Sequence, residues 1–336
     1  MSLSLLAAVI VSFLATLFFT PKLIIFLQRI GMTGTDIQKK DRPKIAEMGG
    51  PAVLIGFLSG IFAYIWIKVF LYGSIESTEI IFAAISTVII VALIGIFDDL
   101  STLMKKAGDG FKRIGLKQWQ KPLLTLPAAI PLMAIMAGNS VVSVPFIGTV
   151  DFGMMYPLFL VPLAIVGASN AYNMLAGLNG LEAGLGVVLL SSLGTYAYFS
   201  NEMSAAVMAF VIAASLLAFL RYNWYPARIM PGDSVTYLIG TAIAVVAIIG
   251  NMEKFALLAF APWILEFFLK LRSRFKAQNF GIVQNDGTLK APYPGTYSLT
   301  HAIMKMGMFK EWQIVSILIV SETVLCSFLL WLYLLV

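Results

Sequence analysis

Residues 170–186 read NAYNMLAGLNGLEAGLG. Asn170 and Asn173 stand i, i+3 at the close of the apolar run 154–173, and a second apolar run, 181–199, follows the loop. Runs of this length carry a helix across most or all of about 30 Å of hydrocarbon, so the stretch reads as two membrane spans joined by a polar loop. Residues at i, i+3 share a helix face, which puts both amides where the first span meets water. Gly177, Gly180, Gly184 and Gly186 let the backbone come close to a bulky, charged ligand. A flexible turn between helices is the plainer reading of the same residues. Three more polar clusters, at matching ends of other apolar runs, tip the balance toward a site.

Composition sets the class. Of 336 residues, 60% are apolar and 12% charged, and the mean hydropathy is +0.90. Apolar runs recur along the chain, which indicates an all-α, polytopic membrane protein and excludes a soluble globular one. A lone cysteine, Cys326, and a lone histidine, His301, exclude a disulfide framework and a Cys- or His-clustered metal centre. The run from Leu3 to Thr20 has neither a basic leader nor a small-residue cleavage site, and is expected to be a retained span.

About ten transmembrane helices are expected, within one domain covering 1–336. They lie over 3–24, 49–71, 78–97, 121–138, 154–173, 181–199, 203–221, 235–250, 255–272 and 311–335. The loops after odd-numbered spans are 25–48, 98–120, 174–180, 222–234 and 273–310. These loops and their borders hold every Lys and Arg except Lys68 and Lys254. By the positive-inside rule they face the cytoplasm, and both termini lie outside. A charge confined to such loops argues against nucleic acid as a partner. On the outer side, VVSVPFIGTVDFG (141–153) alternates apolar residues about a Gly-Thr turn and reads as a hairpin.

The polar clusters gather on the cytoplasmic side. The first inner loop holds Asp36, Lys39 and Glu47, the last of these just ahead of Gly49-Gly50. Headgroup anchoring accounts for the basic residues of this loop but not for its acids, which anionic lipids would repel. Asp98 and Asp99 close the third apolar run in GIFDDL, and Asp233 opens the eighth in MPGDS. Carboxylates so near hydrocarbon are expensive unless neutralised. A hard divalent cation, held by one or two carboxylates plus substrate phosphates, neutralises them. A solvated helix end, or an N-cap for Asp233, is the bland alternative. Lys121, in LKQWQKPLL, either snorkels to the surface or neutralises a phosphate. His301 lies in the long final loop, where a lone histidine is more often structural. Glu266 and Glu322 read as buried, hydrogen-bonded acids without an assigned role.

In combination these residues resemble the polyprenyl-phosphate N-acetylhexosamine-1-phosphate transferases, over essentially the whole chain. The motifs are Asp36 and Lys39 followed by Glu47, the pair Asp98-Asp99, N-A-x-N at 170–173, and G-D-S at 232–234. NMLAGLNGLEAG looks like the archaeal and eukaryotic branch, with Ala176 where bacterial members carry an aspartate. His301 alone stands where the peptidoglycan translocase carries a run of histidines.

The resemblance implies transfer of N-acetylglucosamine-1-phosphate from UDP-GlcNAc to a polyprenyl or dolichyl phosphate. This would occur at the cytoplasmic face of the cell membrane, as the first membrane step of glycan assembly for N-glycosylation. It further implies Mg²⁺, with Mn²⁺ as a substitute, held by Asn173 and Asp233. Asp98 and Asp99 would lie beside the acceptor phosphate, and Lys121 on phosphate would complete the catalytic set. Lys39, Glu47, Asn170, Leu178, Asn179, Gly180, Glu182 and His301 would serve substrate binding. The resemblance admits a homodimer.

Direct attack by the lipid phosphate and a two-step route through an aspartyl-phosphate both fit these residues. Direct attack, with Asp98 deprotonating or orienting the lipid phosphate, is favoured. Two alternatives remain: the same chemistry with another UDP-amino sugar, for cell-wall or surface polymers, and a lipid or solute transporter. Against a transporter, the acids gather at one membrane face rather than at mid-depth. The lipid chain requires a groove between spans, whose place the sequence does not reveal.

Overall fold

The computed structural model describes residues 2–73, 77–103, 119–144 and 147–334. The apolar runs become helices: α1 (Leu3–Arg29), α2 (Gly50–Tyr72), α3 (Thr78–Leu103), α4 (Gln120–Thr125), α5 (Ile130–Ala134) and α6 (Val161–Tyr172). After them come α7 (Leu181–Phe199), α8 (Met203–Asn223), α9 (Gly232–Ile249) and α10 (Glu253–Ala259). The chain closes with α11 (Ala261–Arg272), α12 (Leu299–Met306) and α13 (Glu311–Leu334). Six of these, α1, α2, α3, α8, α9 and α13, are long and apolar enough to cross a membrane. Phe18, Phe70, Leu163 and Val324 stand exposed around the perimeter, a rim suited to lipid and not to water. The chain is a multi-pass membrane protein.

The four other expected spans show why the runs differ. Pro122, Pro127 and Pro131 divide 121–138 into α4, a 3-10 turn and α5. A proline ring removes a backbone donor and crowds the turn before it. The run 255–272 divides at Phe260, ahead of Pro262, into α10 and α11. The run 154–173 opens with a π-helical turn at Tyr156–Leu160 before α6, while α7 covers 181–199 as expected. Helix α3 continues through Asp98 and Asp99, so the pair lies inside a helix and not at its end.

Helix α9 is the hub. Its apolar stretch is 89% buried, against 33% for α1 and for α13, and it packs on α2, α3, α6, α7 and α8. A helix apolar on every side belongs inside a bundle. Gly95 lets α3 lie against it, since a Cβ there would sit 2.6 Å from the Ser234 Cα.

Short strands modify the all-α expectation. β1 (Thr33–Thr35) pairs antiparallel with β2 (Lys44–Glu47). At the other end of the bundle β3 (Val141–Val144) pairs with β4 (Gly148–Asp151), the expected hairpin. Gly148 and Thr149 lie within its second strand, however, and not at its turn. β5 (Ile229–Met230) joins β2 in parallel and sets Met230 beside Glu47. In the final loop β6 (Ile282–Val283), β7 (Thr288–Lys290) and β8 (Phe309–Lys310) form a small antiparallel sheet. Lys105, Lys106, Lys112, Arg113 and Lys117, counted as inner-loop charges, lie outside the described residues.

Gly95→Val would press a branched side chain into the α9 backbone. The expected cost is about 1–3 kcal/mol, read as a lower thermal-unfolding midpoint in detergent. An unchanged midpoint would contradict the α3–α9 contact.

Candidate active site

Helix α9 starts without a side-chain cap of its own, so its first N–H groups need partners. Asp99 of α3 provides them. Its Oδ1 accepts the Asp233 N–H at 2.8 Å, and its Oδ2 accepts the Ser234 N–H at 3.1 Å and the Ser234 hydroxyl at 2.6 Å. A carboxylate at a helix N-terminus is also favoured by the macrodipole. Gly232, at φ +71°, leaves the space this requires, because a Cβ would lie 2.4 Å from Asp99 Oδ2. Asp99, expected in the catalytic set, thus has both oxygens committed to a helix end. It is a strut.

Asp98 meets a different partner. Its Oδ2 lies 2.8 Å from Lys121 Nζ, and Asp233 Oδ2 lies 2.5 Å from the same ammonium. Lys121 projects from α4 over the Tyr237 ring, 5.7 Å from its centroid. Asn173, at the end of α6, donates through Nδ2 to Asp233 Oδ1 at 3.0 Å and accepts the Thr236 hydroxyl at 2.9 Å. Asp98 is buried, whereas Lys121 and Asp233 keep 21% and 27% of their side chains open. The centre is therefore open on the Lys121–Asp233 side. Thr236 and Tyr237 were missed from the sequence. Their spacing from Asp233, i+3 and i+4 on one helix face, was the available signal.

Among the described residues, no three His, Cys, Asp or Glu side chains group as a metal site. Two acids, Asp98 and Asp233, flank one cation, the Lys121 ammonium. Asn170 takes a supporting place. It donates to the Val166 carbonyl at 2.8 Å and to the Thr125 hydroxyl at 3.3 Å, tying α6 to α4.

Asn170 also lines a groove of about 790 Å³ between α6, α9, α10 and α11. Pro122 and Met174 stand with it at one end; Val142, Phe152 and Tyr156 stand at the other, where the Tyr156 hydroxyl donates to Glu253. Between them the walls are apolar, with Leu163, Gly167, Ile243, Ala247 and Ile264 among the lining residues. The groove thus runs from the β3–β4 hairpin to Pro122, the residue that follows Lys121 in the chain.

A second polar cluster forms from the remaining residues. Lys39 Nζ meets Asp36 Oδ2 at 3.0 Å, Asn179 Oδ1 at 3.0 Å and Glu311, and sits 4.3 Å from the centroid of the Tyr225 ring. Glu47 is half-buried in β2, beside Gly34. Leu178 is packed in the core, and Gly180, at φ +82°, leads into α7. Glu182 is buried and accepts the Gly177 N–H at 2.7 Å, which closes the loop on itself. Neither Leu178 nor Glu182 is open to a substrate in this arrangement.

His301 is likewise buried, its ring 5.4 Å from that of Tyr293. Burial, reinforced by the Lys270 charge, holds its pKa below the ordinary imidazole value. The final loop instead reaches the site through Asn279, whose amide donates to the Met174 and Ala176 carbonyls at 2.7 and 2.8 Å.

Residues 81–251, which contain the Asp98–Lys121–Asp233 centre and both asparagines, match the model of glycosyl transferase family 4. The chain belongs to this family. It is 35% identical to a protein of Saccharolobus solfataricus, over 94% of this chain and 92% of the relative. That relative bears the provisional name UDP-N-acetylglucosamine–dolichyl-phosphate N-acetylglucosaminephosphotransferase. A Dictyostelium discoideum enzyme of the same name is 30% identical over 75% of this chain and 66% of its own. A phospho-N-acetylmuramoyl-pentapeptide-transferase of Clostridium perfringens is 29% identical over 77% of this chain and 78% of its own. The family match leaves out Lys39, Glu47, His301 and Glu311, so the second cluster is built largely from beyond the matched segment.

Two variants separate strut from centre. Asp99→Asn places an amide donor among N–H groups and should lower the unfolding midpoint, by about 1–3 kcal/mol of stability. Asp98→Asn should leave the midpoint near that of the parent and lose turnover; equal midpoints for both variants would refute the division. Gly167→Trp fills open groove space, where a Cβ meets nothing within 4 Å. It should raise KM for a lipid acceptor with little change for a nucleotide donor, in steady-state assays of both substrates.

Proposed function

We propose that this protein transfers N-acetylglucosamine-1-phosphate from UDP-N-acetylglucosamine to a polyprenyl phosphate of the dolichyl type, releasing UMP. The observation that carries the reading is Lys121, bridging Asp98 and Asp233 and followed in the chain by Pro122 at one end of an apolar groove. An isoprenoid chain suits the apolar walls, and its phosphate then reaches the Lys121 end.

An oxygen of the lipid phosphate forms a bond to the donor β-phosphorus. The bond from that phosphorus to the α,β-bridging oxygen breaks, and the oxygen leaves with UMP. One phosphoanhydride replaces another, so no redox partner is required. The chief obstacle is repulsion between two polyanions. The Lys121 ammonium offsets it and helps align the in-line attack. Asp98 orients the lipid phosphate or takes its proton.

The donor set fits Mg²⁺, which binds through one or two carboxylates and otherwise through substrate phosphate oxygens. Asp233 and Asn173 would hold the ion, with Asp98 beside it and Mn²⁺ as a substitute. When bound it would neutralise charge on the diphosphate.

In the same reading the Lys121 end faces the cytoplasm of the cell membrane, and both termini lie outside. The segments α4–α5, α6, α7 and α10–α11 complete ten crossings. The basic loops at that end support this orientation. The product would be the first lipid-linked intermediate of glycan assembly, feeding protein N-glycosylation. A different UDP-amino sugar as donor is the second reading, and the name of the Clostridium perfringens relative favours testing it.

Purified protein in detergent with lipid, polyprenyl phosphate and UDP-N-acetylglucosamine should form polyprenyl-diphospho-N-acetylglucosamine. Product should vanish with EDTA and reverse with added UMP. Asp233→Ala should weaken Mg²⁺ dependence and donor use together. Product from another UDP-amino sugar alone would move the specificity. Silence with every donor would return the transporter reading.

A further inference from the structure

Glu311 opens α13, outside the segment that matches the family model, and nothing in the sequence marked it. It is 2% exposed, yet both carboxylate oxygens have partners. Oε1 accepts the Asn179 N–H at 2.7 Å, and Oε2 accepts Lys39 Nζ. Asn179 in turn uses its Oδ1 for Lys39 Nζ at 3.0 Å and for the Ala227 N–H at 2.9 Å. One carboxylate thereby joins the first loop, the NMLAGLNG loop, the segment after α8 and the last helix. An ammonium has three donors, and those of Lys39 face Asp36, Asn179 and Glu311. Lys39 is thus fully engaged, which suits a group that fixes a loop better than one that binds substrate, the role expected for it.

We propose that Glu311 is a positioning residue for the nucleotide donor. Through its ion pair with Lys39 and its bond to the Asn179 backbone, it sets the shape of the loop 174–180, which continues directly from Asn173, the residue set at the donor diphosphate in the reading above. A buried carboxylate left unpaired is costly, so removal of either partner releases the loop. The inference rests on the donor reading above.

The test is calorimetric titration of detergent-solubilised protein with UMP, alongside steady-state kinetics for both substrates. Glu311→Gln keeps an acceptor for the Asn179 N–H but loses the charge opposite Lys39. It should weaken UMP binding about tenfold or more, raise donor KM in parallel, and leave acceptor KM within about twofold. Lys39→Met should do the same, and the double variant should be no worse than either single one. Glu311→Asp, a carboxylate on a shorter arm, should recover part of the affinity.

Unchanged UMP affinity in a folded Glu311→Gln or Lys39→Met protein would overturn the positioning role alone. So would equal losses for donor and acceptor, or additive losses in the double variant. A parent protein that neither binds UMP nor turns over would overturn the donor reading, and this inference with it.

Discussion

The carboxylate of Asp99 at the N-terminus of α9 is the contact on which the remaining arrangement depends. Burying a carboxylate costs several kcal/mol. Three bonds from Asp233 and Ser234 offset that cost, and bonds to a charged acceptor contribute roughly 1.5–3 kcal/mol each. The helix dipole adds up to about 2 kcal/mol in partly buried geometry. Through this contact α3 and α9 share one register. Asp98 on the first and Asp233 on the second then stand close enough to flank the same ammonium.

Neighbouring residues on a helix point about 100° apart, which explains how one dipeptide serves two ends. Because α3 runs on past Asp98-Asp99, the pair divides its labour: Asp99 turns to α9 and Asp98 to α4. Had the helix ended at residue 97, the two acids would have stood at a frayed terminus with no fixed directions. Proline acts similarly in α4. It confines that helix to a short piece whose first turn carries Lys121 over the Tyr237 ring toward both acids.

The loops at this end are fastened to one another. Gln38 exchanges two hydrogen bonds with the Gly281 backbone, at 3.4 and 3.1 Å. Asn279 holds the NMLAGLNG loop by two carbonyls, and β2 pairs with β5. These links give the glycine-rich loop a defined shape without a helix or sheet of its own. The groove beside it is walled mainly by apolar side chains, with Ser143, Glu253, Lys254 and Asn170 as its polar lining.

Legibility followed the range of the interactions. The apolar runs, their polar ends and the basic loops were readable, because each depends on a residue and its near neighbours. Asp98, Lys121, Asn173 and Asp233 were found by this means, and the structure brings them together. Asp99 was read with Asp98 from the end of the same apolar run, and Glu182 and His301 were placed in the site by the resemblance. Their partners are a helix terminus, a loop N–H and a half-buried aromatic ring, which no spacing announces. Glu311 was passed over because its two partners lie 132 and 272 residues away. By itself the sequence determined a helical membrane chain with acids, amides and a lysine at matching helix ends, since hydrophobic length and local charge suffice for that. Only the tertiary structure decided which acid supports and which one faces the lysine, and where an apolar groove opens. Those outcomes depend on the rotation of each helix about its own axis and on the neighbour it packs against.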